Sequence, residues 1–351
     1  MELNETPVRT SRNFNINNIK LENIEIPQKI SSFENVEKIY ENTKIQVTQD
    51  IHKCDLVYGV SDVLTKQLNE QANQKLKLTI DSKENKETQI VFNFDDKNLQ
   101  LVDHIQIEAK EETNGAVIIK YKSQEDIDAF HNGIIELQAK KKANVNVILI
   151  NLMNQNSNNF ISIENELEEE AKVTYTIIDF GGKNSITNYY SNLKGALSDN
   201  KLNTIYLGSK NQTLDLNYIA ELRGEKTNID IEVQGALKDT AKKHFKGTID
   251  FKKGCKKATG NENENCMLLS DTAKGIALPM LLCSEEEVEG NHATSAGRVG
   301  DKELFYIMSR GFNKKEAMKL MVKAKFNKIL ENIENEELKN EIEQEIDKRL
   351  E

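Results

Sequence analysis

Residues 145–179 read VNVILINLMNQNSNNFISIENELEEEAKVTYTIID, and this stretch decides the fold class. It contains three runs of strand length in which apolar residues alternate with polar ones or follow one another directly, as they do in β-strands. Segments rich in Asn and Glu separate the runs, and no long helical pattern lies between them. Consecutive strands without interposed helices are typical of a sandwich, a barrel or a β-solenoid.

The same two-residue period continues on both sides, from about Ile45 to Cys283. Most of its runs recur at intervals of roughly 10–25 residues, with turn-forming Asn, Gly and Asp between them. About 240 residues of strands exceed one sandwich, whereas a solenoid can lengthen because each coil buries its inner face on the next. No strict sequence repeat is visible, so the pattern alone leaves open a solenoid and two separate β domains.

The chain before these strands has few periodic apolar positions, which predicts an extended arm. Ser31 and Glu34 have the spacing of a capping box and precede helix-spaced apolar residues, which predicts a short helix near residues 32–43. We therefore expect an N-terminal arm and short helix in residues 1–44, followed by the β core in residues 45–290.

After Gly290 the apolar spacing becomes helical. Asp301 can cap one helix, and Gly311 suits its end because glycine readily adopts positive φ. Asn313 begins a second helix in a capping-box pattern. Two or three helices at one end of a β body have too little apolar surface for a core of their own, so residues 291–351 are predicted to form a helical region that docks on the body, on a partner, or on both.

The charge and the terminal sequence restrict the expected partners and location. Lys and Arg number 47 against 57 Asp and Glu, a net charge of −10, so we expect neither nucleic acid nor a membrane as a partner. The first residues, MELNETPVRTSRNFN, lack the apolar core of a signal peptide, and no run reaches the roughly 18 apolar residues of a spanning helix. Four cysteines without a C-x-x-C pair predict reduced thiols, and we expect a cytoplasmic protein.

No common short catalytic signature occurs in the chain. The patterns G-x-x-x-x-G-K-[ST], H-E-x-x-H and G-x-S-x-G, which mark P-loop ATPases, zinc proteases and serine hydrolases, are all absent. We therefore expect a protein that is not an enzyme.

A few residues with metal-binding side chains stand out. His52 and Cys54 form an H-x-C pair that could bind a metal on one strand face, although chance proximity is the commoner explanation. His104 is out of phase in its strand, which predicts a surface position. Small residues surround His292 and leave its imidazole accessible, although a structural histidine is the ordinary alternative. Cys266 and Cys283 flank two strand-like runs, where thiols either bind soft metals or serve as small apolar residues.

The segment from about Tyr189 to Leu330 resembles the C-terminal half of the SufB/SufD family, the scaffold proteins of the Suf iron–sulfur cluster assembly machinery. The resemblance is carried by LKGALSDNKLNTIYLGSKNQTLDL (193–216), HFKGTIDF (244–251) and NENENCMLLSDTAKGIALPMLLCSEEEVEGNHATSAGRVGDKELFYIMSRG (261–311). It implies a right-handed parallel β-helix with short N-terminal and C-terminal helical regions. It also implies two partners, a SufC-type ATPase on the C-terminal helices and a SufB-type subunit or a second copy pairing through the β-helix.

Individual positions make the chain similar to SufD rather than SufB. His292 falls on the SufD-type histidine at the subunit interface, and Ala293 stands where SufB has Glu. Glu264 lies close to the position of SufB's assembly cysteine, with Cys266 two places on, and Gly290 replaces a cysteine that SufD-type members often carry. The resemblance thus implies a SufBCD-type complex in which iron or a transient iron–sulfur cluster is bound.

These positions define two sets of candidate residues. The candidates for binding a cluster or a metal are His292, Cys266, Cys283 and Glu264. The candidates for docking the ATPase are Phe305, Tyr306, Arg310, Leu320 and Met321.

Two other functions fit a solenoid. One is a secreted-type carbohydrate-active β-helix, such as a lyase, which the missing secretion signal and the helical C-terminus disfavour. The other is a self-pairing structural β-solenoid without cluster chemistry.

Overall fold

The structure is a computed structural model that describes residues 1–10, 16–22, 24–40, 44–46 and 51–351. The strands are β1 (Glu2–Leu3), β2 (Ile19–Lys20), β3 (Val36–Tyr40), β4 (Lys44–Gln46), β5 (Gln74–Ile80), β6 (Lys86–Phe94), β7 (Gln100–Ala109), β8 (Asn114–Ser123), β9 (Phe130–Ala139), β10 (Asn144–Leu152), β11 (Asn158–Leu167), β12 (Lys172–Asp179), β13 (Asn184–Leu193), β14 (Asp199–Gly208), β15 (Thr213–Leu222), β16 (Asn228–Leu237), β17 (Lys242–Phe251), β18 (Ala258–Leu268), β19 (Lys274–Cys283) and β20 (Val288–Arg298). The helices are α1 (Asp62–Gln71), α2 (Asp301–Met308), α3 (Lys314–Leu330) and α4 (Glu336–Leu350).

Two nine-stranded sheets form the body of the molecule. Sheet 1 has the order β20-β18-β16-β14-β12-β10-β8-β6-β3, and sheet 2 has the order β19-β17-β15-β13-β11-β9-β7-β5-β4. From β5 onward each strand pairs in parallel with the second strand after it, so that Asn144 lies beside Lys172 and Asn158 beside Asn184. Successive strands therefore alternate between the sheets as the chain winds. This arrangement confirms the predicted mainly β fold, a parallel β-solenoid, and excludes the two separate β domains.

The two-residue period puts alternate side chains inside the solenoid. Val117, Val147 and Tyr175 occupy one ladder of partnered positions on β8, β10 and β12, and all three are buried in the main core. Burying such an apolar side chain contributes about 1.5–3 kcal/mol, and each coil repeats the gain on its neighbour. The interior is therefore continuous along the solenoid axis.

Other elements cover part of the outer face of each sheet. On sheet 1, helices α3 and α4 pack their apolar residues against the strands, with the ring of Phe326 stacked 6.5 Å from that of Phe180. On sheet 2, the N-terminal segment and α1 pack against the strands through residues such as Leu3 and Leu64. The same cover explains why His104, predicted at the surface, is only 2% exposed although it points outward from β7.

The two ends of the solenoid differ. At the N-terminal end, β3 and β4 pair antiparallel with β6 and β5, and Phe33 packs its ring against Phe92 and Phe94. At the C-terminal end, β20 is the last strand of sheet 1, and nearly all its residues are exposed. The last coil therefore has no cover in the described part of the chain.

Three local features differ from the expectations. The helix predicted near residues 32–43 is wrong in its described part, where Val36–Tyr40 forms β3 instead. The Asn98 side-chain oxygen accepts the backbone N–H of Glu34, which fixes the chain in the conformation that leads into β3. Helix α1 lies inside the segment predicted to form the β core, and β20 continues the solenoid to Arg298, beyond the predicted limit at residue 290. None of the described helices is long and apolar enough to cross a membrane.

Candidate functional site at the C-terminal end of the solenoid

The inward face of β18 carries three potential ligands in succession. Glu262, Glu264 and Cys266 alternate with outward-facing residues, so all three point into the solenoid. Each is at most 2% exposed. Charged side chains are rarely buried without partners, because their removal from water is costly. The partners of each residue therefore determine what this end of the solenoid can do.

Glu264 is held by two groups, one from β14 in the same sheet and one from β17 in sheet 2. One of its carboxylate oxygens accepts hydrogen bonds from the Tyr206 hydroxyl at 3.0 Å and from the Lys243 ammonium at 2.6 Å. Lys243 also donates to the carbonyl oxygen of Ile276 at 3.2 Å. The second carboxylate oxygen has no hydrogen-bond partner in the described chain. The ion pair balances the charge and leaves one buried oxygen available to a ligand.

Glu262 has fewer hydrogen-bond partners than Glu264. Neither of its carboxylate oxygens has a hydrogen-bond partner among the described residues. The carboxylate lies over Gly247 on the facing sheet, where a Cβ atom would stand 2.1 Å from one oxygen. Burial, together with the neighbouring charge of Glu264, raises the pKa of Glu262 to about 8. A cation placed here would gain a buried carboxylate that nothing else satisfies.

Cys266 completes the inward row and lies opposite the beginning of β19. A Cβ atom on Gly275 would stand 3.2 Å from its sulfur. Burial raises the pKa of the Cys266 thiol, while Lys243 and Tyr206 act in the opposite direction. Cys283 lies at the other end of β19, roughly 26 Å from Gly275 at about 3.3 Å per residue. The structure therefore does not bring Cys283 to the other three candidates, and its exposed sulfur donates to the Glu285 carbonyl at 2.9 Å.

His292 lies above this row on the last strand. Its Cα partner across the sheet is Glu262, so its side chain is on the same inward-facing side of β20, but it is exposed because no further coil covers it. Imidazole, thiolate and carboxylate are ligands that suit iron and zinc. Within the part of the chain that the structure describes, these candidates do not supply three ligand atoms within 4.8 Å of one another. The row is an incomplete ligand set.

The helices next to this end present an apolar surface of their own. Leu304 is buried, whereas Phe305 and Tyr306 are 73% and 59% exposed on α2. Arg310 donates to the Tyr306 hydroxyl at 3.0 Å and lies over its ring. Of the two residues predicted on α3, Leu320 is exposed, but Met321 packs against the apolar cluster on sheet 1. That contact leaves Met321 less accessible to a partner than the other four residues.

Three members of this site are absent from the set predicted from the sequence: Tyr206, Lys243 and Glu262. A signal for two of them was present, because Glu262 has the same strand phase as Glu264 and Cys266, and Lys243 has the phase of the buried Phe245. A charged residue at an inward position is the feature that marks such a site. Tyr206 gave no comparable signal, because a buried tyrosine is ordinary in a core.

The fold and this site define a class of protein. It is a parallel β-solenoid in which no described residue covers the last coil, and acidic and thiol groups are buried directly beneath that coil. Residues 92–325 match the family described as SUF system FeS cluster assembly, SufBD core domain. The matched residues make up most of the chain, and the chain therefore belongs to the SufB/SufD family.

Individual relatives agree with this assignment. The chain is 26% identical over 236 residues to the iron-sulfur cluster assembly protein SufD of Bacillus subtilis, covering 67% of this chain and 54% of that protein. It is 23% identical over 244 residues to SufD of Escherichia coli, covering 70% of this chain and 58% of that protein. An iron-sulfur cluster assembly SufBD family protein of Pyrococcus horikoshii is 30% identical over 166 residues, which are 46% of this chain and 36% of that protein. The matches to the two SufD proteins thus span somewhat more than half of their length.

Proposed function

We propose that the chain is a non-catalytic, SufD-like scaffold subunit of a SufBCD-type complex that assembles iron–sulfur clusters. The observation that carries the proposal is the uncovered last coil, where the exposed His292 stands over the unpartnered carboxylate of Glu262. The names of the relatives, iron-sulfur cluster assembly protein SufD, supply the chemistry that such a site would serve.

The exposed edge of β20 supports pairing with another chain. A long, regular edge strand presents unpaired backbone N–H and C=O groups, and proteins normally cover or disrupt such an edge. An additional strand or coil from a SufB-type subunit, or from a second copy of this chain, would satisfy those groups. The partner would also place its own side chains beside His292 and so complete the ligand set.

The growing cluster is the substrate of such a complex. Iron prefers thiolate and imidazole ligands and also accepts carboxylates, and this end of the solenoid offers Cys266, His292 and Glu264. Cys283 lies at the far end of β19, away from these three residues. In a complex of two subunits it would therefore act only at a different surface. We place the complex in the cytoplasm, because the thiols that bind iron must stay reduced, and all four cysteines are free.

The SufC-type ATPase is proposed to dock on α2 and the beginning of α3. Phe305, Tyr306 and Leu320 are large apolar residues that the described chain leaves exposed. Aromatic residues and arginine are enriched where protein partners bind, and Arg310 already orders the Tyr306 ring. Met321 would support the surface from below rather than contact the ATPase.

The pairing site is tested with His292→Ala in the reconstituted complex, with Asn291→Ala as the matched control. Asn291 is exposed on the opposite face of the same strand, where it donates to Asn261. We expect His292→Ala to lower the iron and sulfide bound per complex, and Asn291→Ala to leave both unchanged. Equal iron and sulfide content in the two variants would contradict a ligand role for His292.

ATPase docking is tested with Phe305→Asp, with Val63→Asp as the control. Val63 is a 56% exposed apolar residue on α1, which packs on the outer face of sheet 2 over β7 and β9. We expect Phe305→Asp to abolish co-purification with the cognate SufC-type ATPase, and Val63→Asp to preserve it. Failure of the unaltered chain to bind that ATPase would remove the proposal that α2 is a docking helix.

A further inference from the structure

A second group of metal-binding side chains lies on the outer face of sheet 2. Cys54 precedes α1, His104 lies on β7 and Glu136 lies on β9, and each offers one ligand atom within 4.8 Å of the others. It is the only such group of three in the described part of the chain. Cys54 and His104 are buried, and Glu136 is partly buried.

A fourth side chain that could bind a metal lies next to these three. The Nε2 atom of His52 is 3.9 Å from a carboxylate oxygen of Glu136, and its ring centre is 6.4 Å from that of His104. The Gln106 amide nitrogen lies 3.1 Å from the Nδ1 atom of His52 and donates to Glu136 at 3.1 Å. The His52 ring is largely exposed, so it can turn toward the group without disturbing the core.

The backbone of the group is fixed by the surrounding structure. His104 and Glu136 project from neighbouring parallel strands, where the Cα partner of Glu136 is Gln106. The side chain of Asn69 on α1 accepts the N–H of Cys54 and donates to its carbonyl oxygen, both at 2.8 Å. Cys54 is thus positioned by two hydrogen bonds although it lies in a loop, as a ligand of a preorganised site should be.

We propose that Cys54, His104 and Glu136 bind one divalent transition-metal ion, with His52 as the fourth ligand. A set of sulfur, nitrogen and oxygen atoms within 4.8 Å of one another suits Zn²⁺ or Fe²⁺ and disfavours Mg²⁺ and Ca²⁺, which prefer oxygen ligands alone. The ion would tie the segment before α1 to two strands of sheet 2. The inference does not depend on the role proposed for the last coil.

The charges around the group favour a cation. Glu164 on β11 and Asp55 add negative charge beside Glu136, and burial with these charges raises the pKa of the Cys54 thiol. In the structure, a hydrogen bond joins His104 Nε2 to a carboxylate oxygen of Glu136. An ion would replace that contact and stabilise the thiolate, because a coordinated thiol loses its proton.

This group is separate from the site at the last coil. Strands β9 and β19 are five places apart in sheet 2, which is roughly 24 Å at about 4.8 Å per strand. Neither Cys266 nor Cys283 can therefore contribute to it. Thiol variants at the two places can be read independently.

The test uses the full chain, stripped with a chelator and loaded separately with Zn²⁺, Co²⁺ or anaerobic Fe²⁺. We expect the wild type to bind about one ion at this group, and Co²⁺ to show the thiolate charge-transfer band of a cysteine-ligated tetrahedral ion. Cys54→Ala should abolish that band, and His104→Gln and Glu136→Gln should weaken Zn²⁺ binding by at least about tenfold. Comparison of the Zn²⁺ and Fe²⁺ affinities identifies the preferred ion.

Matched controls keep the result tied to this group. Cys255→Ala removes a buried thiol from the main core, and the Cys266→Ala/Cys283→Ala double variant removes those near the last coil. Both variants should retain the Co²⁺ band. Because Cys54 packs in an apolar cluster, circular dichroism of each metal-free variant checks the fold, and Glu136→Gln tests the site without altering that cluster. Absence of binding by the wild type, or a band that survives Cys54→Ala and disappears with Cys266→Ala, would refute the site.

Discussion

The two ends of the solenoid differ in how their terminal coils are covered. Every coil needs a neighbour to cover its interior, and a terminal coil has one only if another part of the chain supplies it. At the N-terminal end, Phe33 and the antiparallel strands β3 and β4 cover an interior of aromatic residues. At the C-terminal end, nothing in the described chain covers β19 and β20, and the interior beneath them holds Lys243, Glu262 and Glu264.

The closed N-terminal end contributes mainly to stability, whereas the open C-terminal end is the one proposed to bind a partner and a ligand. An apolar interior closed by its own chain lowers the free energy of the folded state, because it removes hydrocarbon from water. A buried ion pair and an unpartnered carboxylate contribute little or oppose folding, which agrees with the binding role proposed for this end. The closed end should therefore be sensitive to truncation of its cap, and the open end should tolerate loss of its exposed side chains.

The largest effect is expected from Phe33→Ala. Phe33 is 2% exposed, and its ring centre is 5.1 Å from that of Phe94. Removing a buried aromatic ring leaves a cavity, and we expect the free energy of unfolding to fall by about 3–5 kcal/mol. Phe305→Ala, at an exposed position on α2, should change it by less than about 0.5 kcal/mol. Urea denaturation of both variants measures the contrast, and equal losses would contradict the asymmetry of the two ends.

A smaller effect is expected when one partner of the buried ion pair is removed. Lys243→Met leaves the Glu264 carboxylate without its cation, and we expect a loss of about 3 kcal/mol, because a buried unpaired charge is costly. Adding Glu264→Gln to the Lys243→Met variant removes that charge and should restore part of the loss. A double-mutant cycle from urea denaturation measures the coupling. Simple additivity would show that the pair does not interact in solution.

Much of the fold could be predicted from the sequence because the two-residue period is a local property of each strand. The choice of a solenoid could not be made from that pattern alone. The repeat is carried by backbone conformation, since the coil corners place residues such as Glu112, Lys142 and Glu170 at positive φ without using glycine. Their backbone N–H groups bond to the next coil, as from Lys142 to the Glu169 carbonyl. Because the coils repeat a backbone conformation rather than particular residue types, the sequence shows no strict repeat.

The sites show a similar limit. His292, Cys266 and Glu264 were identified from the family resemblance, and their inward phase agrees with the strand pattern. The group on sheet 2 that is proposed to bind a metal could be predicted only in part. His52 and Cys54 are close in sequence, whereas His104 and Glu136 are brought to them only by strand pairing. The helix predicted near residues 32–43 failed for the same reason. The capping-box spacing is local, but pairing with β6 is a tertiary contact that overrides it.

The smallest expected effect on the free energy of unfolding depends on pH and comes from Glu262 at the open end. Burial raises the pKa of Glu262 to about 8, above its ordinary value of 4.5. The folded state thus holds a proton that the unfolded state has lost, so stability present below about pH 4.5 is lost progressively as the pH rises to about 8. One pKa unit corresponds to about 1.4 kcal/mol, and with an allowance for water at the open coil we expect a loss of about 2 kcal/mol between pH 5 and pH 8.

Glu262→Gln should abolish this loss, so that the difference in unfolding free energy between variant and wild type grows with pH up to about 8. Asp179→Asn is the matched control in the closed interior. Burial raises the pKa of Asp179 only to about 6, because Ser185 and Asn151 donate hydrogen bonds to its carboxylate. Its difference from wild type should stop changing above about pH 6, while that of Glu262→Gln continues to grow. Urea denaturation at pH 5, 6.5 and 8 separates the two, and a Glu262→Gln difference that is flat over this range would mean that the carboxylate is hydrated and the last coil is open to water beneath His292.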